Sequence, residues 1–231
     1  MNKYFHWLFP TGACLALLAV SAAAHVPFLE GPDYSPDKPY IVHDVTNSKS
    51  IHAQIGTPGD VDVYRIDLDQ PTRIYTQTDI PWCPQYETFG VTYALAGPGL
   101  PPPAIPLPVT LPSGYGAVVV RDTAADSRDT WLEPFSGRQM WLGASYALDD
   151  APPGIYQMIV WNEQGRTGDY IAVIGEAEIF NAPEIRQVVA TSPRLRGGAN
   201  LMVKCDPTVA EPKRPPRGTA TAGPGRQPGR R

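Results

Sequence analysis

Between residues 40 and 180, apolar and polar positions alternate in short runs broken by Pro, Gly and Asp, the period-two signature of strands rather than helices. Runs at 40–45, 51–55, 61–68, 73–78, 89–95, 116–121, 139–148, 155–162 and 170–175 predict nine strands. The cleanest is 89–95, where Phe89, Val91, Tyr93 and Leu95 share one face. In 61–68 the phase changes between Val63 and Tyr64, which predicts a β-bulge there. Nine short strands with turn residues between them predict an all-β fold, an antiparallel, jelly-roll-like β-sandwich.

Two segments depart from the alternation. Residues 97–108 hold six prolines in twelve positions, and a residue without an N–H cannot serve a central ladder, so an extended, polyproline-like loop is expected. At Asn181-Ala-Pro-Glu184 a capping residue is followed three positions later by a glutamate, which predicts one short C-terminal helix running to about residue 190. Ile185, Val188 and Val189 would form its docking face.

The ends of the chain carry a different signal. Residues 1–24 combine Lys3, the apolar run 13–20 and Ala22-Ala23-Ala24, the parts of a secretory signal peptide whose removal would leave His25 first. No other stretch is apolar enough for a transmembrane helix. A single domain is expected over 25–192, where charge is strongly acidic, net −12, against net +7 over 193–231. That last segment, rich in Pro, Gly and Arg, has too little apolar surface to offset its chain entropy and reads as a disordered basic tail. The whole chain of 231 residues has net charge −4, with 27 Pro and 21 Gly, which argues against a helical bundle; there is no Gly-X-Y period. Export points to a periplasmic or secreted protein, without nucleic-acid partners.

Export also governs the cysteines. Cys14 would leave with the leader, so Cys83 and Cys205 remain, either as one disulfide or as two free thiols. Two cysteines and scattered histidines do not form a zinc motif.

Candidate chemistry is sparse. Gly143-Ala-Ser-Tyr-Ala147 lacks the final glycine of a nucleophile elbow and lies in a strand, so Ser145 reads as structural. Asp60 and Asp62, two apart on one strand face, are candidate ligands for calcium, as are Asp122, Asp126 and Asp129, or Asp149 and Asp150. A processed His25 would offer its amine and imidazole together; with His43 or His52 it would form a three-nitrogen copper site, similar to the histidine brace of polysaccharide monooxygenases. Trp82 and Trp131 are the loop aromatics best placed to bind a ligand, such as a sugar, or a partner protein.

Residues 59–68 (GDVDVYRIDL) together with 153–160 (PGIYQMIV) resemble the bacterial pre-peptidase C-terminal domain. In that family a D-x-D-x-Y strand opens a jelly-roll-like sandwich and a late G-x-Y strand returns beside it; residues 80–135 would then be an insertion. The resemblance implies a non-catalytic exported accessory module. The expected function is therefore binding, or association with the envelope, without catalytic machinery. A copper-binding protein and a calcium-stabilised adhesion module are the alternatives.

Overall fold

Two β-sheets face each other across a layer of tyrosine and aliphatic side chains in the computed structural model, which describes residues 25–122 and 128–204. In chain order the strands are β1 (Val26–Leu29), β2 (Tyr40–Val42), β3 (Lys49–Ile55), β4 (Val61–Leu68), β5 (Thr72–Pro81), β6 (Thr92–Pro98), β7 (Tyr115–Arg121), β8 (Thr130–Glu133), β9 (Arg138–Ala151), β10 (Gly154–Trp161) and β11 (Gly168–Ile174). A 3₁₀ turn, Pro84–Tyr86, follows β5, and helix α1 spans Ala182–Arg196. The six-stranded sheet runs β1-β3-β11-β5-β9-β8 and the five-stranded sheet β2-β4-β10-β6-β7. Without the edge strands β1, β2 and β8, the orders β3-β11-β5-β9 and β4-β10-β6-β7 are those of an eight-stranded jelly roll. The ladders are antiparallel except at two edges, where β1 adds parallel to β3 and β2 parallel to β4.

The inter-sheet core holds Ile51, Tyr64, Ile66, Ile74, Tyr93, Leu95, Tyr156, Met158 and Tyr170, among others. Burying so many phenols requires partners for their hydroxyls. Tyr93, from one sheet, donates to the Thr76 carbonyl in the other at 3.0 Å. Tyr64 and Tyr170, also from opposite sheets, join their hydroxyls at 2.7 Å. These bonds tie the layers together.

The bulge expected in β4 is absent. Its register with β10 is continuous from Val61↔Trp161 to Leu68↔Gly154. The apparent change of phase arises because both faces of the strand are covered. Asp62, Tyr64, Ile66 and Leu68 turn to the inter-sheet core. Val61 and Val63 join a second cluster with Ala94, Ile159 and Trp161, roofed by Ile105, Leu107, Val109 and Leu111 of the proline-rich loop. That loop lies so close to β7 that a Cβ on Gly116 would come within 2.0 Å of the Leu100 carbonyl oxygen. The register irregularities fall instead between Thr72/Ile74 and Gln77/Asp79, where β5 meets β9.

Two strands escaped the alternation pattern, β1 and β8, both short edge strands. The helix begins at the expected cap, with Glu184 reaching back to the Asn181 N–H at 3.1 Å, but continues to Arg196, past its expected end near residue 190. Its docking face also differs. Ile185 and Val189 are exposed, and Thr191 and Leu195 are the buried positions, with Gln187 bonded to the Pro27 carbonyl of β1. No helix among the described residues is long and apolar enough to cross a membrane. The leader, the tail beyond Lys204 and Asp126 lie outside the described residues.

Candidate functional site

Strand β4 buries a carboxylate at its start, because the alternation that turns Tyr64 and Ile66 inward also turns Asp62 inward. Asp62 is 0% exposed. The turn at 56–60 is made by Asp60, whose Oδ2 accepts from the Gly56 N–H at 2.6 Å, leaving Asp60 half-buried at the rim. The chain after β1 then folds over the same end of the sandwich. Glu30 donates its N–H to the His52 carbonyl at 2.9 Å, and the Tyr34 carbonyl accepts from the Val63 N–H at 2.6 Å. These two bonds carry residues 30–34 from the edge of one sheet to the start of β4 in the other.

The result is a cluster of three carboxylates. One oxygen each from Glu30, Asp33 and Asp62 lies within 4.8 Å of the other two. Asp62 Oδ2 accepts from the Tyr170 hydroxyl at 2.6 Å, and Glu30 Oε2 accepts from the Gln54 N–H at 2.9 Å. The second oxygens, Asp62 Oδ1 and Glu30 Oε1, are buried and have no hydrogen-bond donor. Asp33 is exposed and opens the cluster to water. Burial first, then the neighbouring acids, pushes the Asp62 carboxyl up to about 9; burial likewise raises Glu30 to about 7. Removal from water also lifts the Tyr64 and Tyr170 phenols well above their ordinary range.

The sequence pointed to Asp60 with Asp62 as the calcium pair. The structure gives Asp62 different neighbours, Glu30 and Asp33, and uses Asp60 in a turn. The other acidic clusters are tied elsewhere. Asp122 is ion-paired with buried Arg128 at 2.7 Å, and Asp149 with Arg73. Two further carboxylates that the sequence did not single out are buried in finished networks. Asp79 accepts from Gln77, Trp131 and the Gly143 N–H. Asp169 accepts from Tyr86, Gln54, and the Met202 and Val203 N–H groups.

The three candidate histidines, His25, His43 and His52, are spread apart. His25, at the head of β1, places Nδ1 2.5 Å from Ser48 Oγ, with its ring edge-on to Trp131. His52 stands opposite Leu29, four positions further along the β1–β3 ladder from the Ser48 level, or about 13 Å at strand rise. Its imidazole is buried, which lowers its pKa to about 4. His43 is exposed beyond β2, in the opposite sheet. The described residues do not gather these imidazoles into one site.

The two tryptophans are half-buried rather than open platforms. Trp82 packs against the main core. Trp131 lies on β8, not in a loop, and its indole N–H donates to Asp79 at 3.2 Å. Ser145 is exposed on β9, opposite Gln77. Cys83 is 1% exposed, and both Cys14 and Cys205 lie outside the described residues. No protein-family model matches this sequence, and no curated protein is significantly similar to it.

Proposed function

We propose that the chain is an exported, non-catalytic accessory protein that binds a protein or carbohydrate partner in the periplasm or outside the cell. The observation that carries the non-catalytic part is the fate of the interior polar groups: Asp79, Asp169, the Asp122–Arg128 pair and the tyrosine hydroxyls are committed to bonds that hold the sheets and loops together. Catalysis would instead leave a nucleophile and a base mutually placed in a cleft. Support for export comes from the leader-like residues 1–24, and a disulfide between Cys83 and Cys205 belongs to the same reading. The likeness to the pre-peptidase C-terminal domain fits the same reading, and its two motif strands, β4 and β10, are paired along their whole length.

The test is cell fractionation with N-terminal sequencing, followed by sedimentation with isolated envelopes and insoluble polysaccharides. Export predicts His25 as the first residue and one cysteine pair that resists alkylation until a reductant is added; binding predicts co-sedimentation without turnover of glycan, ester or peptide substrates. A cytosolic protein retaining Met1, or measurable turnover, overturns the proposal. The alternative of a calcium-stabilised module has one specific observation in its favour, the donor-less Asp62 oxygen beside Glu30 and Asp33.

A further inference from the structure

We infer that Glu30, Asp33 and Asp62 form a calcium site that fastens the segment after β1 to the start of β4 and closes this end of the sandwich. The inference rests on the calcium reading just given and not on export.

Three features of the structure support it. The first is geometric. Ligand oxygens no more than 4.8 Å apart leave a central point at most about 2.8 Å from each, within a few tenths of an ångström of calcium–oxygen contact of about 2.3–2.6 Å. The second is the polar accounting. Asp62 Oδ1 and Glu30 Oε1 are buried and accept from no other group of the protein, so only a proton shared between the two acids or a cation can satisfy them. Hydrogen bonds already fix the opposite oxygens, Asp62 to Tyr170 and Glu30 to the Gln54 N–H, so both carboxylates are held in place before an ion arrives. The third is access: Asp33 is exposed, so water can complete the coordination sphere from that side.

Donor type selects the ion. The cluster offers carboxylate oxygens and neither imidazole nor thiolate, which favours a hard cation over copper or zinc. Calcium accepts six to eight oxygens in irregular geometry, whereas magnesium demands a near-ideal octahedron at shorter distance. Protons compete with the ion. The groups facing the site are Glu30, Asp33 and Tyr34 from the crossing segment, Asp60, Asp62 and Tyr64 from β4 and its lead-in, and Tyr170 from β11. The acids among them repel one another when ionised, so a cation and a shared proton are rival ways of relieving the same strain.

The experiment uses the purified chain, stripped with chelator and titrated with calcium chloride at pH 7.5. Thermal melting and tyrosine-sensitised terbium luminescence are followed together, because Tyr34, Tyr64 and Tyr170 surround the site. Calcium at about a hundred times its dissociation constant should raise the midpoint by roughly 5–10 °C. Asp33→Asn, at an exposed position, removes one repelling charge, so the melt in chelator should be unchanged or slightly higher, while calcium binding weakens about tenfold or more. Asp62→Asn should abolish both the shift and the terbium signal. Identical melts in calcium and chelator overturn the inference, as does an equal calcium shift in both variants, which would place the ion elsewhere. An equal shift with magnesium overturns the assignment to calcium. Fractionation results bear on export alone and leave this test untouched.

Discussion

Asp169 and Asp62 occupy similar positions and have opposite fates. Both are buried aspartates in central strands, Asp169 in β11 and Asp62 in β4. Asp169 sits at a junction where the Tyr86 hydroxyl, the Gln54 amide and the N–H groups of Met202 and Val203 converge on its two oxygens. Asp62 receives one hydroxyl, from Tyr170, and turns its other oxygen towards a second carboxyl group. A buried charge surrounded by donors is architecture. One that faces another acid instead is incomplete until a proton or a cation joins it.

The largest expected effect comes from dismantling the finished network. Asp169→Ala strands four donors and should cost about 3–5 kcal/mol, read as a lower urea midpoint with an unchanged slope. If it costs under about 1 kcal/mol, the contrast between the two aspartates fails.

Next in size is the pH response of the unfinished site. Asp62 has a folded pKa raised from 3.8 to about 9, so the native state holds its proton longer than the unfolded chain does. Its contribution is present in full at low pH and is lost as pH rises through the folded value. Glu30 and Asp79, each raised to about 7, act in the same direction but level off earlier. His52, lowered to about 4, acts the opposite way, costing stability as pH falls below 6.5. The clean window for Asp62 is therefore pH 7 to 9, where denaturation in chelator should show falling stability that Asp62→Asn flattens.

A smaller effect tests Asp79, which like Asp169 is surrounded by donors. Trp131→Phe keeps one aromatic ring but removes the indole N–H and part of the half-buried ring system, and should cost about 1 kcal/mol or somewhat more by chemical denaturation. The smallest effect belongs to Asp62→Asn at pH 8 without metal. Its amide can donate towards Glu30, so stability should change by less than about 1 kcal/mol. A large loss there would mean that the Asp62 charge is already compensated.

The alternation was legible in β6, where Tyr93 and Leu95 turn to the inter-sheet core and the small Ala94 and Ala96 lie on the other face; Phe89 and Val91 join the same core but precede the strand. It misled in β4, where Val61 and Val63 look out of phase only because the proline-rich loop covers the outer face. Edge strands were the other loss. β1 contains Pro27 and adds parallel to β3, a pairing that leaves no period to read in four residues. In α1, Ile185 and Val189 suggested the buried side, but attachment runs through Gln187 and Leu195 and leaves those two exposed.

One of the three carboxylates of the candidate site was legible and two were not. Asp62 could be picked out from the D-x-D strand. Its partners could not, since Glu30 and Asp33 are brought to it by the Glu30–His52 and Tyr34–Val63 backbone bonds between segments far apart in sequence. The acidic Glu-Gly-Pro-Asp turn at 30–33 was the one available sign. The histidines show the converse: chemically suitable residues that the topology assigns to separate places.

The most direct test of an incomplete carboxyl pair is to count the protons that leave when the ion arrives. Calcium calorimetry at pH 7.5, in two buffers of different ionisation enthalpy, should show about one proton released per ion bound, because the pair holds one before binding. Heat that is the same in both buffers, or no heat of binding at all, would contradict it.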